Sequence, residues 1–592
     1  MLILVLLVIS LLPLAAQVSS ESEKAAAALR ILDAWHAESP KEEERFLRFV
    51  LWTPKGREAP ADYQARLDRM MRHIQKFYAN EMNRLGFGSR SINLPKNKDG
   101  SLKIHLIEGL HPEANYGMSS GNEIKKECLA PLREKGIDAS KETLVIFCNL
   151  AKWDAEKLIF SHNSPYYAGG NNQGGTAWQL DSPELDPKNL VLREPMIRDG
   201  QYGRISLGKH NSIFIGGVCH ELGHALGLPH CKERPDEAAR GTALMGSGNR
   251  TYGDELRGEG KGSFLTLAHA LRLASHPQFS GSTKGMNLPV MAEISNLEIT
   301  TKEKSIYISG TLTADPPVYA VVAYFDPAGG GDYNATTETA VPDESGNFIL
   351  STDALAPGKS GELRLIPLHV NGSTGGWMSQ TKFRYPYSIS KDGMPNLQTF
   401  HTKEALAPII EALRIQDGRR VAALAHRLTD PFQKEIAQNL LRSRTLATKT
   451  PAEAAQGNGP LTRFKPSEVK VGWGRPTYDR LPGSSPLIES GGQLFSTGIY
   501  AHAPSTYDYD LGGSWKTLTG TVGLAAGKGG SVQFIIQGDD KVLWQSKTVK
   551  EGILRTFEVD LTGVKTLKLL TDPTQDGPSQ DWSLWLAPKL IR

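Results

Sequence analysis

Three histidines and one glutamate crowd into a single short stretch, GGVCHELGHALGLPHC, Gly216–Cys231. His220 and His224 are four residues apart, so on a helix both imidazoles leave one face and can share one metal ion. Glu221 follows the first of them, where its carboxylate can accept a proton from a water at that metal without ligating the metal itself. Gly227 can adopt positive φ, which lets the chain leave the helix in a sharp turn. That turn brings His230 round as a third donor. Three neutral imidazoles with one open position are the donor set of a catalytic zinc. The bland reading is a surface helix with solvated histidines, and the added glycine and third histidine at fixed spacing argue against it.

The stretch resembles the metzincin clan of zinc metalloendopeptidases, whose signature HExxHxxGxxH it matches without substitution. The resemblance covers roughly residues 45–280. It implies one zinc held by His220, His224 and His230, with Glu221 as the catalytic base. It also implies a methionine turn beneath the metal, for which ALMGSG supplies Met245, and in some members a tyrosine beside the zinc, for which Tyr252 is the candidate; its longer spacing favours a structural role for Tyr252. The clan binds peptide along an antiparallel edge strand, here expected at Ala177–Leu180. Cys231, after the third histidine, is not a common residue at that place; a gametolysin-like or related bacterial branch is the nearest expectation. His210 and His269 lie off the pattern and are read as non-ligands.

These residues need a scaffold, and the flanking sequence supplies one. RFLRFVLW, LKIHLIEG and ETLVIFCNL read as strands, and GGTAWQLDS as another. Between them, DYQARLDRMMRHIQKFYANEMNRL places Leu67, Met70, Met71, Ile74, Phe77, Tyr78 and Met82 at helical spacing. Strands alternating with helices predict an α/β (α+β) domain, which the resemblance implies is a metzincin-like catalytic domain over residues 19–284, with an optional removable pro-segment at 19–40. From 286 to 388, short strands such as SIYISGTL, VYAVVAYF and ELRLIPLHV predict an Ig-like β-sandwich. A helical connector follows at 389–447, then a flexible Ala/Gly/Pro-rich linker at 448–463. The whole is multidomain, ending in a second, jelly-roll-like sandwich at 464–592.

That last tract carries GWGRPTYDRLPG, GIYAHAPSTYDYDL, QGDDKVLWQS and DWSLWLAPKL. In this order they resemble the carbohydrate-binding module called NPCBM. The resemblance implies a glycan ligand, with Trp582, Trp585 and His502 as candidate contacts; each taken alone reads equally as a core residue of the sandwich. Leu584 departs from the acidic residue usual before Trp585.

The chain has 592 residues, with Lys+Arg 67 against Asp+Glu 64, a formal charge of +3. That balance gives no bulk attraction for nucleic acid. The apolar leader over residues 1–18 reads as a signal peptide, and no later segment is long and apolar enough to span a bilayer. A secreted, periplasmic or cell-surface protein is expected. Its four cysteines, Cys128, Cys148, Cys219 and Cys231, permit local pairs 128–148 and 219–231 or four buried thiols.

The combined expectation is a secreted zinc endopeptidase acting on protein or glycoprotein substrates, mucin-type O-glycoproteins among them. The competing reading is a non-catalytic glycan-binding surface protein with a relict zinc domain, which would have no need of Glu221. A glycosidase lacks an identifiable carboxylate pair.

Overall fold

The computed structural model describes residues 20–37, 45–376, 380–442, 447–454 and 457–592. The expected leader at 1–18 lies outside the described residues. So do residues 19 and 38–40 of the expected pro-segment, residues 41–44 after it, and residues 443–446 and 455–456 at the connector and linker. Among the described residues no helix is long and apolar enough to cross a membrane.

The first domain is built on a five-stranded sheet. It opens with a helix, α1 (Glu21–Ala37), followed by β1 (Leu47–Thr53), α2 (Tyr63–Arg84), β2 (Ile104–Glu108), α3 (Gly121–Glu134) and β3 (Thr143–Cys148). A hairpin of β4 (Tyr167–Gly170) and β5 (Gly175–Leu180) completes the sheet, in the order β2-β1-β3-β5-β4. The first four strands run parallel and β4 is antiparallel to β5. Strand β3 is buried along its whole length, as expected of a parallel strand covered on both faces. The apolar stripe predicted for α2 is the stripe that packs: Leu67, Met70, Met71, Ile74, Tyr78 and Met82 are all buried. The long helix α4 (Leu207–Ala225) then crosses the sheet.

The edge strand is not the one expected. Ala177–Leu180 belongs to β5, which is paired on both sides, and the antiparallel edge is β4. Gly170 and Gly175 explain the close seat of this hairpin, because a Cβ on either would collide with the carbonyl of Ala225 at the end of α4.

A β-sandwich follows the first domain. A sheet of β6 (Met291–Lys302), β7 (Ser305–Asp315) and Asn347–Thr352 faces a second sheet containing β8 (Val318–Pro327), Thr336–Ala340, Ser360–His369 and Arg384–Ile389. Strand β8 joins two cores. Val321, Ala323 and Phe325 point into the sandwich, whereas Ala320, Val322 and Tyr324 point into the core of the first domain. The uninterrupted run VYAVVAYF is apolar on both faces because both faces are buried. The Tyr319 hydroxyl donates to the Leu271 carbonyl and accepts from the Ser275 hydroxyl.

Helix α1 wedges beside this junction. Ala25, Ala28 and Leu32 are fully buried, Lys24 reaches Glu338 of the sandwich at 2.8 Å, and Arg240 reaches Glu21 at 2.8 Å. The Ala-rich sequence suits this role, since small side chains allow close approach to Gly86. The described part of the expected pro-segment, residues 20–37, is thus packed into this junction.

The connector forms three helices, Gln398–Arg414, Gly418–Arg427 and Pro431–Arg442. They pack on the hairpin of the last domain through Leu487 and Leu494, with Lys403–Glu489 at 2.7 Å. The linker, expected to be flexible, is pinned where it is described. Ala452 N–H donates to the Asp510 carbonyl at 3.0 Å, and Trp515 Nε1 to the Pro451 carbonyl at 3.3 Å. The last domain is a sandwich of two antiparallel six-stranded sheets. It begins before residue 464, since Gly459–Pro460 pairs with the final strand and Leu461 is fully buried in its core.

All four cysteines are free and buried. Cys128 and Cys148 lie in one apolar cluster without bonding; Cys219 and Cys231 lie in another, where Cys231 Sγ sits 3.6 Å from His269 Nδ1. The pairs considered from sequence do not form, and the alternative of buried thiols holds.

Candidate metal centre and module face

Helix α4 is capped at its start by Ser206, whose hydroxyl accepts from the Lys209 N–H at 3.0 Å. Nearly all of the helix is buried, and its glycines mark the closest approaches. A Cβ on Gly217 would overlap the Tyr166 hydroxyl, one on Gly216 would strike Asn249 and Tyr252, and one on Gly223 would lie 2.6 Å from the Met245 sulfur. The helix ends in a paired turn, with Leu228 N–H donating to the Gly223 carbonyl at 2.9 Å and Gly227 N–H to the His224 carbonyl at 3.0 Å. Gly227 has φ +85°, the left-handed conformation this ending requires.

The turn delivers His230 to the helix histidines. His224 Nε2 lies 3.1 Å from His220 Nε2 and 3.0 Å from His230 Nε2. Each ring is held from behind by its other nitrogen: His220 Nδ1 on the Leu244 carbonyl at 2.7 Å, His224 Nδ1 on the Leu228 carbonyl at 2.7 Å, and His230 Nδ1 on Asp332 Oδ1 at 2.9 Å. An Nδ1–H donated to oxygen leaves each Nε2 with a lone pair turned inward. Burial, reinforced by the neighbouring imidazoles, pulls the pKa of His220 down to about 3, and burial with His230 pulls His224 down to about 4. Both are neutral donors. The donor set and spacing fit a tetrahedral zinc with Zn–N of about 2.0–2.1 Å. Among the described residues this is the one cluster able to hold a metal.

Glu221 stands beside the triad, and burial pushes its carboxyl up to about 8. Met245 is fully buried under the helix at Gly223, and its carbonyl accepts from Cys231 N–H at 3.3 Å. The segment Leu244–Met245 thus braces both His220 and the residue after His230. Tyr252 is not brought to the triad. It packs in the core near Gly216, its ring 5.4 Å from Phe77 and 5.7 Å from His73.

A different tyrosine reaches the centre. Tyr333 stacks on His230 with ring centroids 3.5 Å apart and planes 25° apart, and it remains 49% exposed. Like Asp332 it comes from the turn after β8, in the second domain. Beside the triad opens a cleft of about 600 Å³. Its walls include Gly169 and Gly170 of β4, Gly227 of the turn, Arg272, and Arg364 and Asp326 of the sandwich. His210 is elsewhere, 3.0 Å from Asp199, and His269 lies beneath the site beside Cys231.

The C-terminal sandwich carries a second cluster. Trp473 is 55% exposed, with Trp582 at 5.2 Å and His502 at 6.0 Å between centroids. Lys528 Nζ lies 4.1 Å above the Trp582 ring. Trp585 is not part of this face. It is fully buried between Phe534 and Phe557, because it belongs to the final strand and points between the sheets. Trp473 is the member that sequence reasoning passed over, although it opens the GWGRP motif.

Comparison with known proteins bears first on this tract. Residues 458–591 match the NPCBM/NEW2 domain. The carbohydrate-binding class expected for the C-terminal domain is therefore the one found, with its boundary at 458. No curated protein sequence matches the chain. Among solved structures, the chain is similar to catalytically inactive OgpA from Akkermansia muciniphila in complex with an O-glycopeptide (glycodrosocin) substrate. Identity is 23%, over 61% of this chain and 97% of that one, with a TM-score of 0.48. The M60 catalytic domain with two CBM51 domains from Clostridium perfringens ZmpB is 12% identical, over 65% of this chain and 40% of that one, with a TM-score of 0.23. The CBM51 of a Clostridium perfringens GH95 protein, in complex with methyl-galactose, is 21% identical over 23% of this chain and all of its own, with a TM-score of 0.22.

Proposed function

We propose that the chain is a zinc-dependent endopeptidase of metzincin type that hydrolyses peptide bonds in glycoproteins. The observation that carries this reading is the inward convergence of three Nε2 atoms, each Nδ1 locked on oxygen, with Glu221 next to His220 in the same helix. When bound, zinc supplies Lewis acidity for a scissile carbonyl and lowers the pKa of water. Glu221 takes the proton from the attacking water and returns it to the leaving amine. A carboxyl held high by burial is suited to both steps, and a nearby cation would favour its ionised form at the start. Strand β4 offers a free sheet edge beside the cleft, where an extended peptide adds as one more strand. Water is partly excluded by the buried helix floor and by the sandwich wall. The NPCBM domain, fixed to the rest of the chain, supplies a sugar-binding face and directs the activity to glycosylated substrates, mucin-type O-glycoproteins in particular.

The test is mass-spectrometric mapping of new peptide termini on a mucin-type glycoprotein, native and enzymatically deglycosylated. We expect zinc-dependent cuts in the native protein and far fewer after deglycosylation. Equal cutting of both forms would remove the glycan from the reading, and an intact native substrate would overturn it.

A further inference from the structure

Of the three inward-facing imidazoles, His230 is the one that its own domain does not secure. His220 and His224 donate to main-chain carbonyls of the first domain, whereas His230 donates to a carboxylate 102 residues further on, in the β-sandwich. His230 also lies beyond the end of α4, past Gly227, with no helix to hold it. Two side chains of the second domain therefore set its ring. Asp332 takes its Nδ1–H at 2.9 Å, and Tyr333 stacks on its face.

Resting on the zinc reading above, we propose that Asp332 is a positioning residue of the metal centre, so that the second domain is a structural part of that centre. A carboxylate on Nδ1 selects the tautomer whose Nε2 carries the lone pair, fixes the plane of the ring and raises its basicity as a ligand. The position of the carboxylate is itself well determined. Asp332 sits in a short 3-10 turn, Gly331–Asn334, closed by Ala335 N–H on the Asp332 carbonyl at 3.0 Å. The chain just after His230 is stitched to the end of that turn, Lys232 N–H donating to the Ala335 carbonyl at 2.7 Å. Behind both, β8 is shared between the two cores, and Glu338 is gripped by Lys24 and Arg234 of the first domain.

A bland ion pair at the mouth of a cleft contributes little and has no bearing on metal. The distinguishing measurement is zinc affinity of the full-length chain by competition with a chromophoric chelator, with no substrate present. We expect Asp332→Ala to weaken zinc binding about 10–100-fold. Asp332→Asn, which keeps an acceptor oxygen without the charge, should fall between it and wild type. Lys24→Met, which cuts another contact across the same junction, should lower the thermal midpoint yet keep wild-type zinc affinity. Circular dichroism of the metal-free variants confirms that each is folded. Wild-type affinity in folded Asp332→Ala would overturn the proposal, as would equal loss in Lys24→Met, because docking in general would then be the cause. A wild-type chain that takes up no zinc would instead overturn the functional reading on which the proposal rests.

Discussion

The candidate metal centre takes all three of its imidazoles from the stretch between His220 and His230, whereas the aromatic face of the C-terminal domain gathers Trp473, His502 and Trp582 from three distant segments. The first is a local design. A helix, a left-handed glycine and a short return path bring the three donors together. The second exists only after two sheets have packed, and its membership depends on which way each strand faces. The metal centre is therefore specified mainly by spacing, and the module face mainly by packing. Asp332 and Tyr333 are the exception within the metal centre, since they too arrive through packing.

Removing the metal separates the two regions most sharply. Dialysis against a chelator should abolish hydrolysis and zinc should restore it, while retention of the chain on immobilised mucin-type glycan stays unchanged. Loss of both together would show that the regions are not independent.

Within the module, two tryptophans far apart in sequence should behave in opposite ways. Trp585→Ala empties a site between Phe534 and Phe557 and should destabilise the domain by about 3–5 kcal/mol. Trp473→Ala touches an exposed ring and should change stability by no more than about 0.5 kcal/mol, yet weaken glycan retention. Thermal melts and affinity chromatography of both variants check this pair. Wild-type retention in Trp473→Ala would place the sugar elsewhere.

The same contrast explains what could be read in advance. Helix α2 and strands β1 to β3 follow from apolar periodicity, and the turn at Gly227 from the position of one glycine. Tyr252 follows the methionine turn closely in sequence, but spacing does not say on which side of α4 it lands, and Gly216 draws it to the other face. Trp585 could not be told from Trp582 without knowing where the final strand begins. Ala177–Leu180 has the look of an edge strand because glycines bound it, yet the hairpin that follows from Gly169–Gly170 places β4 outside it. Asp332 carries no local signal at all. Its one clue is the run VYAVVAYF just upstream, whose lack of alternation announces a strand buried on both faces, and hence a second domain pressed against the first.

The central claim is that this chain holds zinc in order to cut peptide bonds, with Glu221 acting on water and not on the metal. Metal content and turnover, measured on the same preparations of wild type and Glu221→Ala, test it most directly. We expect about one zinc per chain in both proteins, with hydrolysis of a glycopeptide reduced at least about 10²–10⁴-fold in the variant. A variant that keeps wild-type turnover, or a wild type that binds zinc and cuts nothing while still retaining glycan, would contradict it.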